Sequence, residues 1–146
     1  MIPLTEETGL IGHCSWEDGR FGNAENSRVQ LNDYLTIEEL SGLSQSERFL
    51  KLNQLGNYAG GYFKEVLPEA LKQYDKVLLL THVPPFKEAC MHEGNVTDDE
   101  FLPHFSCKVV RDTILEIMRT HPDKHLTILC GHTHSPAQEM ILPNLE

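Results

Sequence analysis

An α/β fold built on a parallel βαβ unit is what the 146-residue sequence predicts, and three features carry that expectation. Two short apolar runs, residues 76–82 and 126–130, have the length and composition of strands buried on both faces. Between them, residues 105–120 repeat apolar side chains at helical spacing, with Val109, Val110, Thr113, Ile114, Ile117 and Met118 on one stripe. Strand, helix, strand in that order favours two parallel strands joined by a crossover helix.

The remaining elements follow along the chain. Residues 9–14 read as a short strand, and residues 15–33, rich in Gly, Asn, Asp and Ser, as a long loop. From Ser46 to Tyr74 the positions Phe49, Leu52, Leu55, Tyr58, Tyr62, Val66 and Ala70 fall on a helical stripe, with Ser46 as N-cap and Glu47 in the first turn. Gly56, Gly60 and Gly61 weaken that helix, and Pro68 is expected to break it in two. Residues 83–104 form a long irregular stretch, of a kind often functional in a compact domain. His121-Pro122 ends the helix before the second strand. No linker or repeat divides the chain, so residues 1–146 are read as one domain.

Composition narrows the function. Apolar residues are 40% and charged residues 23%, ordinary for a globular chain. A net charge of −10 argues against a nucleic-acid or anionic-membrane surface that works by counterion release. No run approaches the roughly 20 apolar residues of a membrane helix, and the first residues lack the pattern of a signal peptide. The four cysteines are scattered, and the expectation is reduced thiols in a cytoplasmic protein. Eight histidines is a high count that directs attention to metal or proton chemistry.

Three of those histidines sit where the chemistry of an open α/β sheet belongs. The first buried strand runs into Thr81-His82-Val83-Pro84-Pro85, and the second into Gly131-His132-Thr133-His134. Parallel strands place both carboxyl ends on one edge of the sheet, about 4.8 Å apart when adjacent. In an extended segment His132 and His134 point the same way, and Gly131 lets the backbone approach a bound group. Converging neutral imidazoles suit a divalent transition metal, so His82, His132 and His134 are the expected metal ligands.

Thr81-His82-Val83-Pro84-Pro85-Phe86 and Leu129-Cys130-Gly131-His132-Thr133-His134 resemble the last two motifs of the calcineurin-like metallophosphoesterases. The resemblance extends to the stretch from Gly12 to Arg20, to Leu31-Asn32-Asp33-Tyr34 and to Pro143-Asn144-Leu145. It implies a partial metallophosphoesterase fold, half of an αββα sandwich. It also implies a metal-dependent phosphoester hydrolase, in which a hydroxide activated by two metals attacks a phosphoester. By position, His82 and His132 would hold one ion and His134 the other, with Mn, Fe, Zn or Ni all suitable. The family's Asp-x-His, Gly-Asp and Gly-Asn-His motifs are not found at matching places, so the chain is expected to be the C-terminal half of such an enzyme and inactive alone. A missing N-terminal half or a homodimer would then cover an apolar face. The alternative is a non-catalytic α/β fragment or interaction module that binds at most one metal ion.

Other candidates are weaker. His92 and Arg20 are possible substrate contacts, as is Lys87. Cys90, His92, His104 and Cys107 have irregular spacing for a Cys2His2 zinc site. Trp16 is expected to pack within the core or its loop.

Overall fold

A computed structural model of the chain describes every residue except Glu93. Its main sheet has four strands in the order β1 (Ile2–Pro3), β2 (Thr8–His13), β3 (Lys76–Thr81), β6 (His125–Leu129). Strand β1 is antiparallel to β2, and β2, β3 and β6 are parallel. The two predicted buried strands are therefore neighbours, in register from Lys76↔His125 to Leu80↔Leu129. A short α1 (Asp33–Thr36) and the long α2 (Gln45–Gln73) lie between β2 and β3, and α3 (Lys108–Arg119) lies between β3 and β6. The stretch 83–104 carries a two-stranded hairpin, β4 (Met91–His92) with β5 (Asn95–Val96), between 3-10 turns at Lys87–Ala89 and Leu102–His104.

Two successive crossovers that step the same way across a sheet put both helices on one face. That face is the core. Ile11, Val77, Leu79 and Leu126 point into it and meet Ala59, Phe63 and Leu67 of α2 and Val110, Ile114 and Met118 of α3. Strand residues of opposite parity face away from the helices. Ile2, Leu10, Leu78, Leu80 and Leu129 share that outer face, where Leu80 is 43% and Leu129 51% exposed. The outermost strand, β6, is edged by the C-terminal segment, with Ile128 N–H donating to the Glu146 carbonyl and Glu146 N–H to the Leu126 carbonyl.

Helix α2 departs from its expected form in three ways. It is continuous for 29 residues with Pro68 inside it. An interior proline costs a helix about 3 kcal/mol, but Leu52, Ala59 and Phe63 are buried before it and Leu67, Ala70 and Leu71 around and after it, so burial on both sides outweighs the break. Its N-cap is Ser44 rather than Ser46: the Ser44 hydroxyl accepts from Glu47 N–H while the Glu47 carboxylate accepts from Ser44 N–H at 2.9 Å. The buried stripe is rotated from the expected one, running through Leu52, Gly56, Ala59, Gly60, Phe63, Leu67 and Leu71, with Tyr58 72% exposed. The glycines explain the rotation. A Cβ on Gly60 would lie 2.4 Å from Val109 of α3, and one on Gly56 would lie 2.5 Å from Asp18, so the helix makes its closest approaches along its smallest side chains.

Candidate functional site

The carboxyl ends of β3 and β6 bring His82 and His132 together. His132 Nδ1 lies 3.1 Å from His82 Nε2, with ring centroids 4.9 Å apart. His132 Nε2 is 3.0 Å from the backbone carbonyl of His104. A carbonyl only accepts, so that nitrogen carries the proton, and the lone pair on Nδ1 faces His82. A hydrogen bond from one ring N–H to a backbone carbonyl is what fixes the tautomer and orientation of a metal-ligating histidine. Burial, with His82 nearby, holds His132 below the usual histidine range, so the ring stays neutral at neutral pH.

The local backbone differs from the expected extended segment. His132 and His134 have φ of 70° and 56°, both in the left-handed region, so the strand ends at Leu129 and the chain turns tightly through residues 131–134. His134 is exposed beside His132 rather than aligned with it, and lines a separate cavity of about 220 Å³ with Pro84, Cys130 and Ser135. Gly131 serves no close approach, since an added Cβ would meet only the His82 carbonyl at 3.9 Å. Its N–H donates to that carbonyl at 2.9 Å and ties the two strand ends together. Among the described residues, no group of three or more His, Cys, Asp and Glu side chains is arranged to hold one ion. His82 and His132 have the spacing of a ligand pair, with the tautomer of His132 fixed and its Nδ1 accepting from His82 Nε2–H, and His134 stands outside it.

The remaining candidates are placed as follows. His92, on β4, stacks on Phe101 at 5.6 Å and meets Phe105 edge-on at 5.2 Å, and Phe105 in turn lies 5.4 Å from His132. One phenyl ring therefore stands between His92 and the histidine pair. Arg20 is committed elsewhere. Its guanidinium pairs with the buried Asp18 at 3.0 Å and donates to the Asn57 side chain at 2.9 Å, while Asp18 accepts from Val109 N–H at 2.9 Å. That cluster clasps the loop after β2 to both helices. Lys87 is exposed. The Cys2His2 arrangement does not form, because both ring nitrogens of His104 are occupied and Cys90 and Cys107 are buried thiols. Burial pushes Cys90 up to about 12 and raises Cys107 as well.

Two features of the site have no counterpart in the sequence reading. Trp16 lies flat on His82, with centroids 4.8 Å apart and planes 7° from parallel, and meets His132 edge-on at 5.6 Å. Directly behind His132 runs a buried polar chain. Tyr34 Oη is 2.9 Å from Glu17 Oε1 and 2.6 Å from His104 Nδ1, and His104 Nε2 is 2.8 Å from Ser27 Oγ. Glu17, Tyr34 and His104 are each at most 2% exposed. Burial raises Glu17 to about 8 and lowers His104 to about 4. Arg48 caps the chain, with its guanidinium 4.4 Å from the centre of the Tyr34 ring.

Compared with known proteins, the chain matches no family model, no curated protein and no solved structure. No helix among the described residues is long and apolar enough to cross a membrane.

Proposed function

We propose that this chain supplies part of a metal-dependent phosphoester hydrolase, as the C-terminal half of a two-metal site, with His82 and His132 sharing one divalent ion and His134 facing a second. The observation that carries the reading is the His82–His132 pair, two ring nitrogens 3.1 Å apart at the ends of adjacent parallel strands, one of them locked as a lone-pair donor by the His104 carbonyl. Mn, Fe, Zn and Ni all accept imidazole. A bound divalent ion would polarise a phosphoryl oxygen and lower the pKa of water. The chain's own contribution is to hold His132 neutral and oriented, to wall His82 with Trp16, and to keep water off one side of the pair with Phe105.

Calorimetric titration with Zn²⁺ or Mn²⁺ tests the reading. The expected result is at most one ion per chain, with affinity lost in His82→Ala and in His132→Ala. Binding that is absent, or unchanged in both variants, would overturn it. Against aryl phosphate mono- and diesters the chain alone should show no turnover above a free-metal blank, because a carboxylate bridge and a leaving-group acid are expected from elsewhere. Turnover abolished by His132→Ala would show that this half is sufficient.

One observation favours a second reading, an interaction module. The outer face of the sheet presents Ile2, Leu80 and Leu129 to solvent on one side of three strands, and such contiguous apolar surface marks interfaces more often than free surface. Either a homodimer or an N-terminal half would cover it. A monomer by sedimentation at high concentration would count against self-association.

A further inference from the structure

We infer that the cavity between the end of β2 and helix α2 takes a flat aromatic ring, carried by the phosphoester proposed for the neighbouring imidazoles; the inference rests on that reading and deepens it. The cavity has a volume of about 210 Å³, and its walls include His13, Trp16, Leu40, Leu55 and Tyr58, with Glu39 exposed at its rim. A closed apolar cavity of about 150 Å³ holds one benzene, so this space admits one ring or a fused pair and not a whole large ligand. Its lining matches that occupant. Two aromatic side chains and an imidazole provide π-faces, two leucines provide an apolar floor, and a carboxylate at the mouth accepts from an N–H on the ring edge. Stacking of this kind tolerates any planar base, because every base has a π-face.

Position turns a small hydrophobic hole into part of a site. Trp16 belongs to both regions, lining this cavity and lying parallel on His82. The indole is thus the wall between a ring pocket and the imidazole pair, and an ester whose phosphoryl group reaches His82 and His132 has its organic end directed here. His13 is itself held among Tyr58, Tyr62 and Phe63 at 5.0–6.1 Å, which gives the inner wall a fixed orientation. The acidic chain adds selectivity, since Glu39 disfavours a second negative group at the mouth and favours an amino-bearing ring such as adenine.

Trp16 is the one tryptophan of the chain, so its fluorescence reports on this wall alone. The full chain is titrated with adenosine 5′-monophosphate, adenosine and ribose 5-phosphate. Saturable quenching is expected from the first two, tighter for the nucleotide, and none from the sugar phosphate. Tyr58→Ala should weaken both aromatic ligands about tenfold and Tyr58→Phe should restore them. Tyr58 is exposed, so an unchanged urea midpoint shows that the fold is intact. Absence of saturable quenching by either aromatic ligand, or quenching that Tyr58→Ala leaves unchanged, overturns the pocket. Adenosine binding as tightly as its phosphate keeps the pocket and counts against the phosphoester reading, whose own failure is read separately from the His132→Ala metal titration.

Discussion

His104 and His132 are joined by one hydrogen bond, yet they belong to opposite kinds of environment. His104 has both ring nitrogens saturated by Tyr34 and Ser27 and is 2% exposed. His132 spends one nitrogen on a backbone carbonyl and presents the other to His82 at an open rim. The first histidine is bonded only to buried fixtures of the fold, and the second lends its lone pair to His82, a rim imidazole that can give way to a ligand. A buried polar chain rigidifies what it touches, and a bond between two imidazoles at a rim can open to a ligand. The contact between them lets the buried chain set the geometry of the open one, because the carbonyl that orients His132 belongs to the residue that the chain holds in place.

Truncating the two histidines should therefore affect different properties. His104→Ala removes a buried ring and orphans Tyr34 and Ser27, so urea unfolding should show a loss of about 2–5 kcal/mol. His132→Ala should cost under about 1 kcal/mol in the same measurement while abolishing zinc binding. Equal destabilisation by both would erase the contrast. Tyr34→Phe keeps the ring beneath Arg48 but deprives Glu17 and His104 of a partner, with an expected loss of about 1–3 kcal/mol.

Stability against pH sharpens the contrast further. Glu17 has a folded pKa of about 8 against 4.5 unfolded, so its share of stability is present below pH 4.5 and is lost as pH rises through 8. His104 has a folded pKa of about 4 against 6.5 unfolded, so its share is present above pH 6.5 and is lost as pH falls through 4. The two slopes oppose each other between 4.5 and 6.5. Their contributions should therefore nearly cancel there, leaving a small rise from His13 and His132, which burial also lowers, and the unfolding free energy should then decline by about 1–2 kcal/mol between pH 6.5 and 8. Glu17→Gln should remove that decline and uncover the rising slope of His104. A midpoint that climbs from pH 6.5 to 8 in the parent chain would show that Glu17 is ionised in the fold. The smallest effect belongs to the rim: His134→Gly should leave stability unchanged or raise it by up to about 1 kcal/mol, because glycine relieves a left-handed φ.

The two regions were not equally legible in the sequence. The strands that carry His82 and His132 announce themselves as apolar runs, and their parallel pairing follows from the helix between them. The rim was therefore readable from local pattern plus one topological rule. The turn that sets His134 aside was not, because nothing in Gly-His-Thr-His distinguishes an extended tip from two left-handed residues. The stretches that hold Glu17 and Tyr34 carry the family resemblance and His104 stands out as a candidate ligand, but nothing in the sequence says that the three meet. Glu17 and Ser27 sit in loops, Tyr34 in the one-turn helix α1 and His104 in a 3-10 turn, and their partners are as much as 77 residues apart. Trp16 was legible as an apolar residue but not as the neighbour of His82, since the contact depends on how the loop after β2 crosses the end of β3. Its course there is held by a hydrogen bond between the Ser15 and Thr81 hydroxyls. The stripe of α2 misled for a different reason. Bulky apolar residues mark a helix face in one dimension, but here Gly56 and Gly60 mark the face that packs closest, while Gly61 of the same helix faces open space.

The left-handed backbone at His132 and His134 bears on how this sequence would change under selection. Most side chains with a Cβ pay about 1–2 kcal/mol there; glycine does not, and asparagine offsets part of it by hydrogen-bonding its own backbone. Under selection for folding alone, both positions would drift toward those residues. A library of variants scored only for abundance should enrich glycine and asparagine at 132 and 134, while one scored for zinc retention should hold histidine at 132 against that drift. The gap between the two enrichments would measure, residue by residue, how much stability this turn gives up for the proposed ion.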